Sequence, residues 1–148
     1  MRRRNRIRIT ICGSLSGADG ETATRALSQL PTDAEISRES GDPVGWTASA
    51  EQGDLCVVFH AWPDEIPVAA AHAIVAACAA SRLIVCQGAW CASAGRTRSV
   101  WPRAVCVSPA EFGARLQFEL AVLHGLRDPL PATAALDEVF SATSGRQV

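Results

Sequence analysis

The segment DLCVVFHAWPDE (54–65) decides the fold that the sequence predicts. Its first half, DLCVVF, is an uninterrupted apolar run after one aspartate, which is typical of a strand covered on both faces. Its second half contains a proline between polar and aromatic residues and indicates a loop. A strand of this kind is expected inside a parallel sheet that has helices on both sides.

Short apolar runs on both sides of this segment alternate with helical stretches. The runs are 6–12, 34–39, 83–86 and 103–107, and the helical stretches are 21–30, 44–52, 67–80 and 109–126. This alternation predicts an α/β fold with a parallel sheet. Five strands in 148 residues predict a three-layer, doubly wound, flavodoxin-like sheet of order 2-1-3-4-5. Ligands of such sheets bind beyond the carboxyl ends of the strands.

The fourth helix is expected to depart from this pattern. The stretch GAWCASAGRTRSVWPR (88–103) contains two glycines, a proline and two tryptophans, which predict a shortened helix or an irregular loop. We therefore divide the chain into a basic arm (1–5), an α/β domain (6–127) and a tail (128–148) with one possible short helix.

Charge and hydropathy indicate neither a nucleic-acid-binding nor a membrane protein. The net charge is -1, and the arginines at positions 2, 3, 4, 6 and 8 form a short arm without a second basic surface. The apolar run after the arm is too short for a signal peptide, and VAAAHAIVAACAA (68–80) is short for a bilayer. The sequence predicts a cytoplasmic protein.

The six cysteines are spread singly through the chain. Cys12, Cys56, Cys86 and Cys106 lie in or at the end of predicted strands, and no C-x-x-C pair occurs. This placement predicts small buried thiols in a reducing compartment, with no disulfide framework and no metal site.

Two proline positions carry a resemblance to a known family. Pro63 follows Phe59 by four residues after the central strand, and Pro109 opens the last helix in VSPAEF (107–112). On these motifs, residues 6–126 resemble the receiver family (CheY-like). The resemblance implies the flavodoxin-like fold, an interaction role and, for many receivers, a homodimer through the face next to strands four and five.

The phosphorylation residues of receivers are not matched. The resemblance puts Phe59 at the place of the phospho-accepting aspartate and Ser108 at the place of the lysine. Gln87 and Gly88 stand where receivers have a hydroxyl residue, and CGSLSG (12–17) lacks the acidic pair that holds magnesium. Aspartyl phosphorylation needs a carboxylate nucleophile and a divalent cation, so we expect a non-phosphorylatable, receiver-like interaction module.

The loop after the fourth strand is the predicted binding surface. Its indoles would anchor an unidentified protein partner and its guanidinium groups would donate charge-assisted hydrogen bonds. The residues are Trp90, Arg96, Arg98, Trp101 and Arg103.

The alternative is a protein that binds a small molecule or nucleotide, and that could be an enzyme. Cys91 would be a nucleophile with His60 as its base, and Ser14, Ser16 and Gly17 would bind an anion before the first helix. The cysteine–arginine spacing does not fit a phosphatase loop, and the glycine spacing is not that of a dinucleotide fingerprint. No motif indicates a cofactor.

Overall fold

The computed structural model describes residues 6–94 and 100–128, apart from the side chains of residues 92–94 and 103. The sheet has five parallel strands in the order β2-β1-β3-β4-β5, which confirms the predicted doubly wound topology. The strands are β1 (Arg8–Cys12), β2 (Glu35–Glu39), β3 (Leu55–His60), β4 (Arg82–Gln87) and β5 (Cys106–Val107).

Helices connect the strands, and 3₁₀ turns at Pro43–Gly45 and Arg103–Val105 precede α2 and β5. The helices are α1 (Gly17–Leu27), α2 (Trp46–Gln52), α3 (Val68–Ala77), α4 (Ala89–Ala94) and α5 (Pro109–Leu123). The described part of α4 has six residues. The arm (1–5) and residues 129–148 of the tail, with the predicted short helix, lie outside the described residues.

β3 is buried along its whole length, as its apolar run predicts. Cys56 and Val58 belong to a core cluster with α2 and α3, whereas Leu55, Val57 and Phe59 belong to a second cluster with α1 and α5. The Phe59 and Phe112 rings meet edge to face at 5.4 Å in that second cluster. Side chains of one strand alternate between faces, so β3 joins the two layers into one core.

β2 is an edge strand with little burial. Its first four residues are exposed, and its only large apolar side chain, Ile36, is 42% exposed. The charged side chains of Glu35, Arg38 and Glu39 lie along it. Charges on a short edge strand discourage pairing with strands of other molecules.

β5 is shorter than the sequence predicted. The expected strand 103–107 pairs with β4 only through Cys106 and Val107. Residues 103–105 form a 3₁₀ turn instead, because the Val105 N–H donates to the Pro102 carbonyl at 3.1 Å and closes the turn. Among the described residues, the first half of β4 therefore has β3 as its only strand neighbour.

The six cysteines are free thiols, five of them buried and Cys106 half-buried. The Cys56 thiol interacts with Cys12 and Cys78, and these hydrogen bonds, with burial, raise its pKa. Within the described part of the chain, no helix has the length and apolar character needed to cross a membrane.

Candidate functional site

An open cleft of about 610 Å³ lies at the carboxyl edge of the sheet. Residues that follow β1, β2 and β3 line it, so it lies beside the β1/β3 switch point where doubly wound sheets bind ligands. The described lining residues are Ile11, Gly13, Ser14, Arg38, Glu39, Ser40, Gly41, Pro43, Trp46, Trp62 and Glu65.

Gly13 lets the backbone pass close to the central strand at this cleft. It has a φ of +78°, and a Cβ atom there would lie 2.8 Å from the Phe59 carbonyl oxygen and 3.1 Å from the Trp46 ring. Trp46, the first residue of α2, is itself buried in the core. The start of the β1–α1 loop therefore requires glycine.

The predicted anion-binding residues separate in the structure. Ser14 is exposed and lines the cleft, whereas Ser16 and Gly17 begin α1, four residues earlier than the sequence predicted. Ser16 is the N-cap of α1 without a side-chain capping bond, and Gly17 has a φ of +62°. Helix formation from Gly17 leaves only residues 13–16 as the loop after β1.

The described charges near these residues are mostly carboxylates. Asp19, in the first turn of α1, accepts a hydrogen bond from the Ala89 N–H at 3.2 Å. Glu39 accepts from the Ser49 hydroxyl, and Glu65 accepts from the Ala61 N–H at 2.9 Å. Arg38 is the one described arginine in the cleft lining. The described side chains thus favour a neutral or cationic ligand more than a phosphate.

His60 ends β3 and is buried, with 3% of its surface exposed. Its Nδ1 accepts a hydrogen bond from the Trp101 indole N–H at 3.1 Å, which places the proton of the neutral ring on Nε2. Burial lowers the pKa of His60, and hydrogen bonds with the backbone of Pro63 and Trp62, together with the Glu65 charge, oppose only part of this effect.

Cys91 lies close to His60 but does not pair with its imidazole. The thiol donates to the His60 backbone carbonyl, with 3.3 Å between sulfur and oxygen. Burial raises the pKa of Cys91 to about 11, and the Glu65 charge adds to this. A catalytic thiolate needs the opposite, a lowered pKa and a base within hydrogen-bonding reach, so the described geometry does not form the expected nucleophile–base pair.

Trp101 is not an exposed anchor, contrary to its predicted role. It is 3% exposed and packs in the core cluster with α2 and α3. Its N–H bonds to His60, and the indole and imidazole rings meet edge to face with their centroids 6.3 Å apart. Trp90, at the start of α4, is 74% exposed, as a contact residue must be. Arg96 and Arg98 lie outside the described residues, as does the side chain of Arg103.

Other exposed apolar residues at this edge were not among the predicted binding residues. Trp62 follows β3, lines the cleft and is 53% exposed. Val44 and Val68, at the turn after β2 and the start of α3, are 64% and 53% exposed. The topology alone places Trp62 at the carboxyl edge, but only the structure shows which tryptophans are exposed.

The fold and the cleft place the chain in the doubly wound, flavodoxin-like class of α/β proteins. No protein-family model, curated protein or solved structure matches the chain. Within the described residues, no three His, Cys, Asp or Glu side chains are grouped in a way that could hold a metal ion.

Proposed function

We propose that the protein is a non-catalytic interaction module, receiver-like in fold, which binds a protein partner at the carboxyl edge of its sheet. The observation that carries this proposal is the contrast between two sets of residues at that edge. The indoles of Trp62 and Trp90 are exposed, whereas the His60 imidazole and the Cys91 thiol are buried and bonded within the protein.

Exposed large apolar side chains are concentrated at this edge. Four of the described ones follow β2, β3 or β4, and the other two, Ile36 and Leu126, lie on β2 and after α5. Tryptophans carry a large share of the binding energy in protein interfaces, because they bury much apolar area with few rotatable bonds. The edge residues are Val44, Trp62, Val68 and Trp90.

The environment of Phe59 supports a receiver-like module without phosphotransfer. Phe59 is 3% exposed and contacts the Phe112 ring, so an apolar side chain occupies the place that the resemblance assigns to the phospho-accepting aspartate. Ser108 is the N-cap of α5, and its hydroxyl donates to Glu111 at 2.9 Å. Phe59 supplies no nucleophile for a phosphoryl group, and Ser108 supplies no cation in place of the receivers' lysine.

The proposal includes a cytoplasmic location and a signalling role, in line with the free thiols and with the receiver resemblance. It also includes a homodimer through the β4–β5 face as a second mode of association. Sedimentation equilibrium of the full chain tests the dimer separately from partner binding.

Panning a phage-displayed random peptide library against the full chain tests the main proposal. Peptides selected on the natural protein should bind Trp90→Ala and Trp62→Ala variants at least roughly tenfold more weakly, since interface tryptophans contribute about 2 kcal/mol or more each. The matched control is Leu126→Ala, which removes an equally exposed apolar side chain after α5. Its peptide affinity should equal that of the natural protein.

Two outcomes would contradict the proposal. One is a selection that enriches no peptide above the background of the blank support. The other is a set of peptides whose affinity is the same for the natural protein and for both tryptophan variants.

A second candidate function rests on the cleft. Its volume of about 610 Å³ lies within the range of small-molecule sites, which favours a ligand-binding protein. A thermal-shift panel of nucleotides and inorganic phosphate separates the two functions. The carboxylates near the cleft lead us to expect no stabilisation, and a saturable rise in Tm that Ser14→Val abolishes would favour the ligand-binding function.

A further inference from the structure

A charge cluster lies at the opposite, amino end of the sheet. Glu119 on α5 is fully buried, and its carboxylate accepts hydrogen bonds from Arg82, at the start of β4, through both Nε and Nη2. The same carboxylate accepts from Arg115 Nε at 3.1 Å. Arg115 is 1% exposed, and its Nη2 donates to the Ala104 carbonyl. Two guanidinium groups therefore share one carboxylate.

This cluster has one positive charge that its own members do not neutralise. Burial lowers the pKa of Arg115, the Glu119 carboxylate opposes this effect, and the Arg82 charge adds to the lowering. Arg82 is 24% exposed, so water stabilises part of its charge, whereas Arg115 is buried and shares its counter-charge with Arg82. A buried cation without a full counter-charge is costly, and arginine remains protonated in proteins even so. A bound anion would reduce this cost.

One buried donor next to the cluster is unused. Arg115 Nη1 has no hydrogen-bond partner among the described residues. The Ser81 hydroxyl hydrogen-bonds to the Cys78 thiol, and Ser81 and Arg115 line the same cavity of about 250 Å³. Buried donors are nearly always satisfied in native proteins, so an unsatisfied guanidinium donor at a cavity indicates a bound acceptor.

The cavity exists because β5 is short. It lies beside the first half of β4, where no described strand follows, and between α3 and the 3₁₀ turn that replaces the start of β5. Apolar side chains of Val75, Leu83 and Val105 form its other walls. Its volume equals that of roughly eight water molecules, at about 30 Å³ each. That is enough for a short-chain organic acid and too little for a nucleotide.

We propose that this cavity binds a small monocarboxylate, whose carboxylate accepts hydrogen bonds from Arg115 and Ser81 and whose short apolar chain contacts Val75, Leu83 and Val105. A monoanion balances the single excess charge, whereas a dianion such as sulfate would reverse it. The apolar walls favour an alkyl or aryl group over a sugar. This site is distinct from the carboxyl edge, and it stands or falls independently of the proposed function.

Nuclear magnetic resonance of the arginine Nε–Hε groups tests the site in the full chain. Titration with sodium butyrate should shift the Arg115 signal saturably, and butyramide, the neutral isostere, should leave it unchanged. Sodium sulfate at equal ionic strength should also leave it unchanged. An Arg115 signal that no carboxylate moves, or that butyrate and butyramide move alike, would overturn the proposal, and saturation by sulfate alone would overturn the monocarboxylate assignment.

Variants test the roles of the individual groups. Ser81→Ala should weaken butyrate binding roughly tenfold, the effect of losing one hydrogen bond to a charged group. Glu119→Gln raises the net charge of the cluster by one and should strengthen butyrate binding in the folded fraction. Arg127→Gln is the matched control, since Arg127 is exposed, contacts Phe118 and does not line the cavity. Equal butyrate affinity in Ser81→Ala and the natural protein would contradict the assigned contact.

Discussion

The chemistry of His60 and Cys91 is decided by the atoms to which each is bonded. The imidazole accepts from an indole, and the thiol donates to a backbone carbonyl. Both bonds stabilise the neutral forms, because a protonated Nδ1 could not accept from Trp101 and a thiolate could not donate to a carbonyl. Two reactive residue types thus act as structural links between β3, α4 and the segment before β5.

The lowered pKa of His60 predicts a loss of stability in mild acid. Below pH 6.5, the ordinary pKa of histidine, the unfolded chain binds a proton that the folded chain excludes. The free energy of unfolding therefore rises as the pH increases toward 6.5, and above that pH the contribution of His60 no longer changes. Urea unfolding between pH 5 and 8 measures this slope. His60→Gln should flatten it.

His72→Gln is the control for the histidine prediction, because it removes an exposed imidazole from α3 without touching the buried one. Its stability should follow the pH dependence of the natural protein. If the free energy of unfolding of His60→Gln and of the natural protein depends on pH in the same way, His60 is not the group whose protonation destabilises the fold.

At the scale of the elements, two glycines with positive φ are expected to differ in their tolerance of alanine. Gly125 follows α5 in a Schellman motif, where the N–H groups of Gly125 and Leu126 donate to Val122 and Ala121. A Cβ atom at Gly125 meets nothing, whereas at Gly13 it meets the Phe59 carbonyl oxygen at 2.8 Å.

Gly125→Ala should therefore cost about 1–2 kcal/mol, the strain of a left-handed residue alone. Gly13→Ala should cost roughly 3 kcal/mol, because the backbone must also move away from β3. Urea unfolding at neutral pH gives both values. A similar loss of unfolding free energy in the two variants would mean that the β1–α1 loop accommodates the Cβ atom without added strain.

The elements that the sequence predicted incorrectly are those decided by tertiary contacts. The apolar run RAVCV reads as a full strand, but a turn anchored at Pro102 uses its first three residues. Trp101 reads as a loop tryptophan, but His60, distant in sequence, provides a buried acceptor for its N–H. Neither a distant acceptor nor the length over which two strands pair can be read from local composition.

At the scale of the whole molecule, the topology followed from the order of apolar runs and helices, because parallel strands need helical crossovers and doubly wound sheets have few arrangements. The position of a site at the carboxyl edge followed from that topology. Which side chains are exposed there did not, since exposure depends on packing. The cluster of Arg82, Arg115 and Glu119 carried no sequence motif and became visible only in three dimensions.

The shared central strands predict a single cooperative unfolding transition. β3 contributes to both core clusters, so loss of one layer exposes the apolar residues of the other. Of the four tryptophans, the buried Trp46 and Trp101 change environment most on unfolding, so the change in fluorescence reports mainly the layer that contains them, whereas circular dichroism reports the whole backbone. Both signals should give the same urea midpoint. A fluorescence midpoint below the dichroism midpoint would show that the α2–α3 layer unfolds separately.

The Trp101–His60 hydrogen bond also provides a hydrogen-exchange probe of local opening. An indole proton that is held inside the core by a ring nitrogen exchanges with deuterium only after the two rings separate. Its exchange rate in the native protein therefore measures the local opening that separates the segment before β5 from the end of β3. Cys91, next to the exposed Trp90, also bonds to His60, so the same signal reports whether a bound partner slows local opening at the carboxyl edge.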